Sequence, residues 1–342
     1  MTPTRRPSNL AAFVDALPKV ELHVHLEGSM WPSTLKALAD KHQVEAIPRT
    51  EDALREWFEF RDFPHFIEVY LTSIGVLRDP EDFARLAYDS LTALATHHVR
   101  YTEMHISLFG HLMRGVDAAA VFEGVEEGRR RAETETGIVA RWIPDFPGDF
   151  GTDAANRTLD AVLAHRVDSI VGFGIGGIEV PRAEFADVFA RATAAGLHSL
   201  PHAGETGGPD SIWSALRDLG AERIGHGIAA LGDPELVAYL IEHRIPLDVS
   251  PTSNIRTRVV ESLDVHPLPA MIDAGLTVTL NSDDPSMFGT DLTTEYLAAH
   301  GIGLDASALR SLALAGVDAS YADAELKRQM RAEIAAVELP EV

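Results

Sequence analysis

Eight short runs of β-branched and aliphatic residues alternate with helical segments along this chain of 342 residues. Each run has the length of a buried strand, and segments such as 81–97 and 117–135 repeat apolar residues with a helical period. Strands that alternate with helices pair in parallel, and eight such units close into a barrel. We therefore predict an α/β fold, a (β/α)8 TIM barrel forming a single domain over 1–342. The predicted strands are 20–26, 99–107, 138–145, 169–176, 197–203, 222–228, 245–250 and 276–282.

The connection between the first two strands, 27–98, is much longer than one helix requires. Its segment 52–75 is rich in aromatic residues and predicts extra helices inserted after strand 1. An insertion that follows a barrel strand lies beside the mouth of the barrel, so we expect this segment to cover the site.

The composition excludes several classes of partner. The formal net charge is −23, which disfavours binding to nucleic acid and to anionic membrane surfaces. We find no apolar stretch of the roughly 18 residues that a membrane span needs. The chain has no cysteine, which excludes disulfides and cysteine-based metal sites and is typical of a cytoplasmic protein. The sequence does not predict an oligomeric state.

Polar residues gather where the predicted strands end. In a barrel these ends converge on one face, which is the face that carries the chemistry. The residues at the strand ends are His23, His25 and Glu27, then Gly177 and Glu179, then His202 and Glu205, then His226, then Ser253 and Asn254, and finally Asp283 and Asp284.

The histidines of this set suggest a metal centre. His23 and His25 are two residues apart in a strand, so both side chains point to the same face. Together with His202 and Asp283 they form the natural ligand set for zinc or a similar divalent ion, whose bound water would be acidified. His226 is then free to orient that water or to take its proton, and Glu205 to carry a proton to a leaving group. This combination is typical of a hydrolase.

Each element also has an ordinary structural explanation. The two histidines of strand 1 could lie in a polar barrel interior, His226 could be a packing residue, and Glu205 could lie in a surface loop. Asp283 and Asp284 before a proline could form a turn or a helix N-cap. Five separate motifs at strand ends favour the functional interpretation. We interpret eight of the remaining histidines as structural: His65, His97, His98, His111, His198, His243, His266 and His300.

Five motifs, in this order, resemble the adenosine deaminase family of the amidohydrolase superfamily. They are HVHLEG, HAGE, RIGHG, SPTSN and LNSDDPSMFGTDLTTEY, and the resemblance runs from about residue 17 to about 325. It implies hydrolytic deamination of a 6-aminopurine, with release of ammonia and formation of a hypoxanthine product.

The resemblance also implies a role for each matching residue. His23, His25, His202 and Asp283 match the ligands of one zinc ion per subunit. Glu205 matches the residue that protonates N1 of the purine, His226 the one that orients the attacking water, and Asp283 belongs to the catalytic group. The expected substrate contacts are Asp284 at N7, the Gly177 N–H at N3, Glu27 on the ribose side, and His25.

Other classes of enzyme fit the residues less well. Cytidine-type zinc deaminases use cysteine ligands, which this chain lacks. Binuclear amidohydrolases need a bridging lysine, and none of the four lysines falls at a mid-barrel strand end. The intact ligand set and Glu205 argue against a silent relative that acts as a binding or growth-factor protein. A metal-dependent hydrolase of lactones or phosphoesters is the alternative enzyme class.

Three positions depart from the pattern of adenosine deaminases. Glu27 stands where they usually have an aspartate that binds the ribose 5′-hydroxyl, and adenine deaminases also have glutamate there. The segment GIGGIE keeps Gly177 but matches neither the DLAGxE of adenosine enzymes nor the LDSSE of adenine enzymes. His105 stands where many relatives have arginine.

These departures indicate a nucleoside enzyme with an altered 5′ pocket. The HLEGS and GFGxGG patterns resemble the branch that acts on aminodeoxyfutalosine, an adenine nucleoside with an aryl carboxylate at its 5′ end, in the futalosine route to menaquinone. Adenosine is the second expected substrate and adenine the third. Arg61, Trp31, Phe60 and Phe63 are candidates for an aryl-acid pocket, although ordinary helix packing is the simpler explanation for them.

Overall fold

The computed structural model describes residues 9–340, so residues 1–8 and 341–342 of the predicted 1–342 domain lie outside the described part. Its strands are all parallel and follow one another in chain order, in two runs of neighbours, β1 to β5 and β6 to β9. The strands are β1 Lys19–His25, β2 Val99–Ile106, β3 Val139–Pro147, β4 Gly172–Gly176, β5 His198–Ser199, β6 His202–Ala203, β7 Ile224–His226, β8 Leu247–Val249 and β9 Val278–Leu280.

The ring closes where the last strand meets the first. Val24 pairs in parallel with Asp283. The backbone N–H of His25 donates to Asp283 O at 2.7 Å, and the N–H of Asp283 donates to His23 O at 3.1 Å. With helices between successive strands, this closure confirms the predicted (β/α)8 barrel.

The predicted fifth strand, 197–203, is divided in the structure into β5 and β6. Leu200 and Pro201 separate the two pieces, and proline has no N–H to donate to a neighbouring strand. The Pro201 carbonyl still accepts a hydrogen bond from Gly225 N at 2.9 Å. The two pieces therefore occupy one position in the barrel, which gives eight positions from nine strands.

Extra helices follow β1, as the sequence predicts, and the aromatic segment 52–75 contains α4 and most of α3. No helix among the described residues is both long and apolar enough to cross a bilayer. The helices are α1 Leu10–Ala16, α2 Pro32–Lys41, α3 Glu51–Trp57, α4 Phe63–Ile74, α5 Pro80–Thr96, α6 Leu108–Met113, α7 Ala118–Thr136, α8 Gly151–Ala164, α9 Ala186–Ala194, α10 Pro209–Asp218, α11 Pro234–His243, α12 Pro251–Arg256, α13 Leu268–Asp273, α14 Pro285–Phe288, α15 Leu292–Gly301, α16 Ala306–Ala319 and α17 Ala324–Ala336.

Candidate metal centre and active-site pocket

The carboxyl ends of four strands bring one group of histidines and a carboxylate together. His23 and His25 come from β1, His202 from β6 and His226 from β7, and Asp283 follows β9. His226 and Asp283 both have a φ of 64°, a left-handed conformation that is uncommon outside glycine and is concentrated at functional sites. The strand ends that the sequence predicts to converge therefore do so.

Three distances between donor atoms in this group match those of ligands that share one metal ion. His25 Nε2 lies 3.2 Å from His202 Nε2 and 3.4 Å from Asp283 Oδ1, and His23 Nε2 lies 3.5 Å from the same oxygen. Ligands about 2.0–2.1 Å from a tetrahedral zinc ion are roughly 3.3 Å apart. His23 Nε2 is buried without a hydrogen-bond partner among the described residues. The four residues can therefore hold a divalent metal ion.

The protonation of these ligands also suits a metal. His202 Nδ1 donates to the Ile175 carbonyl at 2.9 Å, which leaves Nε2 as the free lone pair. Burial lowers the pKa of His23 to about 3, so its imidazole is neutral. Burial alone would raise the pKa of Asp283, but the adjacent imidazole of His23 and the other surrounding imidazoles hold it well below its usual range. The site thus offers neutral imidazoles at His23 and His202, whose pKa values burial lowers, and an ionised carboxylate at Asp283.

Glu205 faces this group from the loop after β6. Its Oε2 lies 3.6 Å from His226 Nε2, and Thr257 Oγ1 donates to its Oε1 at 3.5 Å. Burial raises the pKa of Glu205 to about 7. Its carboxyl group can therefore hold a proton near neutral pH and donate it to a bound molecule.

A second carboxylate, Glu179, holds the loop that carries Glu205. Its Oε2 accepts from Gly204 N at 2.9 Å, and its Oε1 accepts from Glu205 N and Thr206 N at 2.8 Å and from Gly207 N at 3.1 Å. A Cβ at Gly207 would lie only 2.7 Å from this carboxylate. The GIGGIE and HAGETGG motifs therefore form one unit, in which glycine permits the close approach.

Asp284 and Gly177 both line the pocket. Burial and the neighbouring Asp283 raise the pKa of Asp284 well above its ordinary value, and its Oδ1 has no hydrogen-bond partner among the described residues. A Cβ at Gly28 would lie only 1.7 Å from that oxygen. The glycine of HVHLEG therefore leaves room for a buried carboxyl group that is available to a ligand.

Glu27 occupies a different position from the one expected. It is fully buried, is not among the residues that line the pocket, and its Oε1 accepts from His111 Nε2 at 2.7 Å. Its Oε2 accepts from the Tyr70 hydroxyl and from Ser107 N, both at 3.3 Å. Arg114 Nη2 donates in turn to His111 Nδ1 at 2.6 Å, which leaves Nε2 as the nitrogen that donates to Glu27. Tyr70 and Ser107, which line the pocket, therefore stand between Glu27 and a ligand.

Because Glu27 is the shared acceptor of this network, Glu27→Ala is expected to lower the free energy of unfolding by about 3–5 kcal/mol. Urea denaturation measures the change. Glu59→Ala is the matched control, because Glu59 is exposed and pairs with Arg256 on the surface. A loss no larger than that of the control would contradict a structural role for Glu27.

The pocket is polar at its base and apolar towards its mouth. Of the four candidates for an aryl-acid pocket, only Phe63 lines it; Trp31 and Phe60 do not, and the side chain of Arg61 is exposed. No lysine or arginine is among the lining residues of the described chain. The lining residues are His25, Phe63, Phe66, Ile67, Tyr70, Leu71, Ile74, Ser107, Gly110, Asp145, Phe146, Pro147, Asp149, Phe150, Gly176, Gly177, Ile178, His202, Glu205, His226, Thr257, Asp283, Asp284 and Phe288.

Sequence reasoning missed several residues that contact the site. Asp145 lines the pocket, and its Oδ2 lies 3.1 Å from His105 Nδ1 and 3.9 Å from His25 Nδ1. Its place at the end of the third predicted strand was a signal that could have identified it. His111 and His266 were predicted to be structural, but His111 contacts Glu27 and His266 contacts Asn254. His198, for which the same prediction was made, stacks on Tyr321 with ring centroids 3.6 Å apart.

Comparisons with known proteins agree with this geometry. The family model for adenosine deaminase matches residues 18–337. Aminodeoxyfutalosine deaminase from Streptomyces avermitilis is 48% identical over 331 residues, which cover 95% of this chain and 92% of that protein.

Two solved structures also resemble this chain over most of its length. The crystal structure of adenine deaminase from Arthrobacter aurescens matches this chain with a TM-score of 0.90 at 33% identity. The match covers 93% of this chain and 98% of the Arthrobacter chain. An amidohydrolase from Burkholderia ambifaria with bound Zn has a TM-score of 0.87 at 31% identity, covering 95% and 91% of the two chains. This chain therefore belongs to the adenosine deaminase family of hydrolases, within the amidohydrolase superfamily.

Proposed function

We propose that this chain is a zinc-dependent deaminase of a 6-aminopurine nucleoside, forming one barrel domain over 1–342 with one zinc ion per subunit. The observation that carries the proposal is the position of Glu205, a buried carboxyl group with a pKa of about 7 that faces the His/Asp cluster across one pocket. The products are ammonia and the corresponding hypoxanthine nucleoside.

The zinc ligands in this proposal are His23, His25, His202 and Asp283. These residues would hold the ion, and when bound it would supply an acidified water as the nucleophile. His226 Nε2, which lies 3.8 Å from Asp283 Oδ2, is placed to orient the attacking oxygen.

The other pocket residues bind and polarise the purine. Glu205 gives its proton to N1, which withdraws electron density from C6 and favours attack there. Asp284, whose raised pKa keeps its carboxyl group protonated, donates a hydrogen bond to N7. The backbone N–H of Gly177 donates to N3, while His25 lies at the base of the pocket beside the reacting atoms.

The substrate that we favour is aminodeoxyfutalosine, which the enzyme would convert to futalosine in menaquinone biosynthesis. Leu71, Phe150 and Ile178 line the pocket and remain 38–47% exposed, which suits an apolar aryl extension beyond the ribose. Among the described residues no lysine or arginine lines the pocket, so the dianionic phosphate of a 5′-nucleotide would lack a cationic partner beside the ribose, whereas an aryl extension places its single carboxylate farther out, towards solvent. The 48% identity to an aminodeoxyfutalosine deaminase supports the same choice. Adenosine is the alternative, followed by adenine.

Turnover of aminodeoxyfutalosine, adenosine, adenine and AMP, measured in parallel as the absorbance change on deamination, tests the proposal. We expect the highest kcat/KM with aminodeoxyfutalosine and negligible turnover of AMP. A preference for adenosine or adenine would assign the enzyme to purine salvage. Hydrolysis of lactones or phosphoesters, with no deamination of any purine, would overturn the proposal altogether.

The apolar rim of the pocket gives a second test. Phe150→Ala is expected to lower kcat/KM for aminodeoxyfutalosine by about tenfold or more, because the aryl group loses a partner that it buries. The value for adenosine should hardly change. Met113→Ala is the control, since Met113 is equally exposed but does not line the pocket. Equal losses with both substrates would show that the rim does not bind the extension.

The carboxylate that holds the Glu205 loop is also expected to matter. Glu179→Gln replaces an acceptor oxygen with an N–H₂ group that faces the Gly204 N–H, so we expect kcat to fall by about 10–100-fold with little change in KM. Glu184→Gln, at an exposed position in the same segment, is the control. Steady-state kinetics with unchanged metal content would separate this effect from loss of the metal.

A further inference from the structure

A chain of hydrogen bonds runs from a backbone amide to the ring of His226. The N–H of Leu268, at the start of α13, donates to His266 Nδ1 at 3.1 Å. His266 Nε2 lies 3.2 Å from Asn254 Oδ1, and Asn254 Nδ2 lies 3.3 Å from His226 Nδ1. The side chains of all three residues are buried, with 5% of His266, none of Asn254 and 1% of His226 exposed.

The direction of this chain is fixed at its backbone end. An amide N–H can only donate, so His266 Nδ1 must accept and the ring proton of a neutral His266 lies on Nε2. Nε2 then donates to Asn254, which receives the bond on its carbonyl oxygen. The Asn254 amide group is left to donate to His226 Nδ1. His226 Nδ1 is therefore an acceptor, and the proton of the neutral imidazole lies on Nε2.

The surroundings preserve this direction. Burial lowers the pKa of His266 to about 4, so the ring is neutral near neutral pH. Asn254 lies within α12, where its backbone N–H donates to Ser250 O at 3.1 Å. Turning the Asn254 amide over would bring two donors together at His266, which a buried site disfavours.

We propose that Asn254 and His266 are positioning residues that hold His226 in the tautomer protonated on Nε2. His226 then presents a hydrogen-bond donor to the pocket, so it orients the attacking oxygen and does not accept a proton at Nε2. Its Nε2 faces two acceptors, Glu205 Oε2 at 3.6 Å and Asp283 Oδ2 at 3.8 Å. This inference rests on the proposed function, and it decides between the two roles that the sequence left open for His226.

The tautomer can be read directly by NMR on the metal-loaded enzyme labelled with ¹⁵N-histidine. Protonated and unprotonated ring nitrogens have well-separated ¹⁵N shifts, and the signals that disappear in His226→Gln identify the residue. We expect His226 to carry its proton on Nε2. A proton on Nδ1 would overturn the proposal whether or not the enzyme accepts any given purine. If instead the enzyme shows the expected tautomer but deaminates no purine, only the proposed function is refuted.

Variants of the relay test whether it acts on turnover. Asn254→Asp offers only acceptors when ionised and should move the His226 proton to Nδ1, lowering kcat by about 10–100-fold with KM little changed. His266→Leu should cause a similar loss, and His266→Gln should restore most of it, because a glutamine amide can still donate to Asn254. His243→Gln, at an exposed position in α11, is the control for a histidine replacement. An unchanged tautomer and an unchanged kcat in both Asn254→Asp and His266→Leu would contradict the proposal.

Discussion

Replacing Glu205 by glutamine is expected to lower kcat by about 10²–10⁴-fold and to leave KM and the bound metal nearly unchanged. The amide keeps the shape of the side chain but cannot supply the proton that a carboxylic acid with a pKa of about 7 supplies. Because Glu205 is not one of the four proposed metal ligands, the loss should arise in the chemical step. Steady-state kinetics with metal analysis of the same sample measures both effects.

Glu222→Gln is the matched control for this experiment. Glu222 is exposed and pairs with His198 away from the pocket, so its replacement should not affect turnover. A Glu205→Gln enzyme that retained most of its activity would show that another group delivers the proton. A variant that lost its metal would instead indicate that Glu205 stabilises the metal site.

Removing the metal is expected to abolish turnover, and adding zinc back is expected to restore it. The buried imidazoles and the ionised Asp283 can form a site for a divalent cation. In the proposed mechanism, only this cation would acidify the water that attacks the purine near neutral pH. Dialysis against a chelator, followed by titration with zinc, should give activity in proportion to metal content, up to one ion per subunit. Full activity in protein shown to be free of metal would refute the mechanism.

The histidine cluster and the fold were predictable for the same reason. Parallel barrel strands place their carboxyl ends on one face, so the polar residues that end 20–26, 197–203 and 276–282 had to meet there. The alternation of strands and helices in the sequence therefore predicts both the barrel and the proximity of His23, His202 and Asp283.

The second layer of the site could not be predicted in this way. Glu27 was expected to meet the substrate because it stands where adenosine deaminases usually have the aspartate that binds the ribose 5′-hydroxyl. The chain instead turns after β1 and buries the carboxylate against His111, which is distant in sequence. Tyr70 intervenes from α4, and the angle at which an inserted helix docks is set by packing rather than by its own periodicity. Such contacts leave no regular spacing in the sequence.

The single backbone bridge that closes the barrel has a consequence for how this protein is made. His23 and His25 are synthesised before Asp283, but the ring that sets their positions closes only when Asp283 pairs beside Val24. A nascent chain thus carries these imidazoles without their carboxylate partner until Asp283 has been synthesised. We therefore expect metal insertion to follow the pairing of Asp283 with Val24, and we expect truncation before β9 to remove the candidate metal site together with the seam of the barrel.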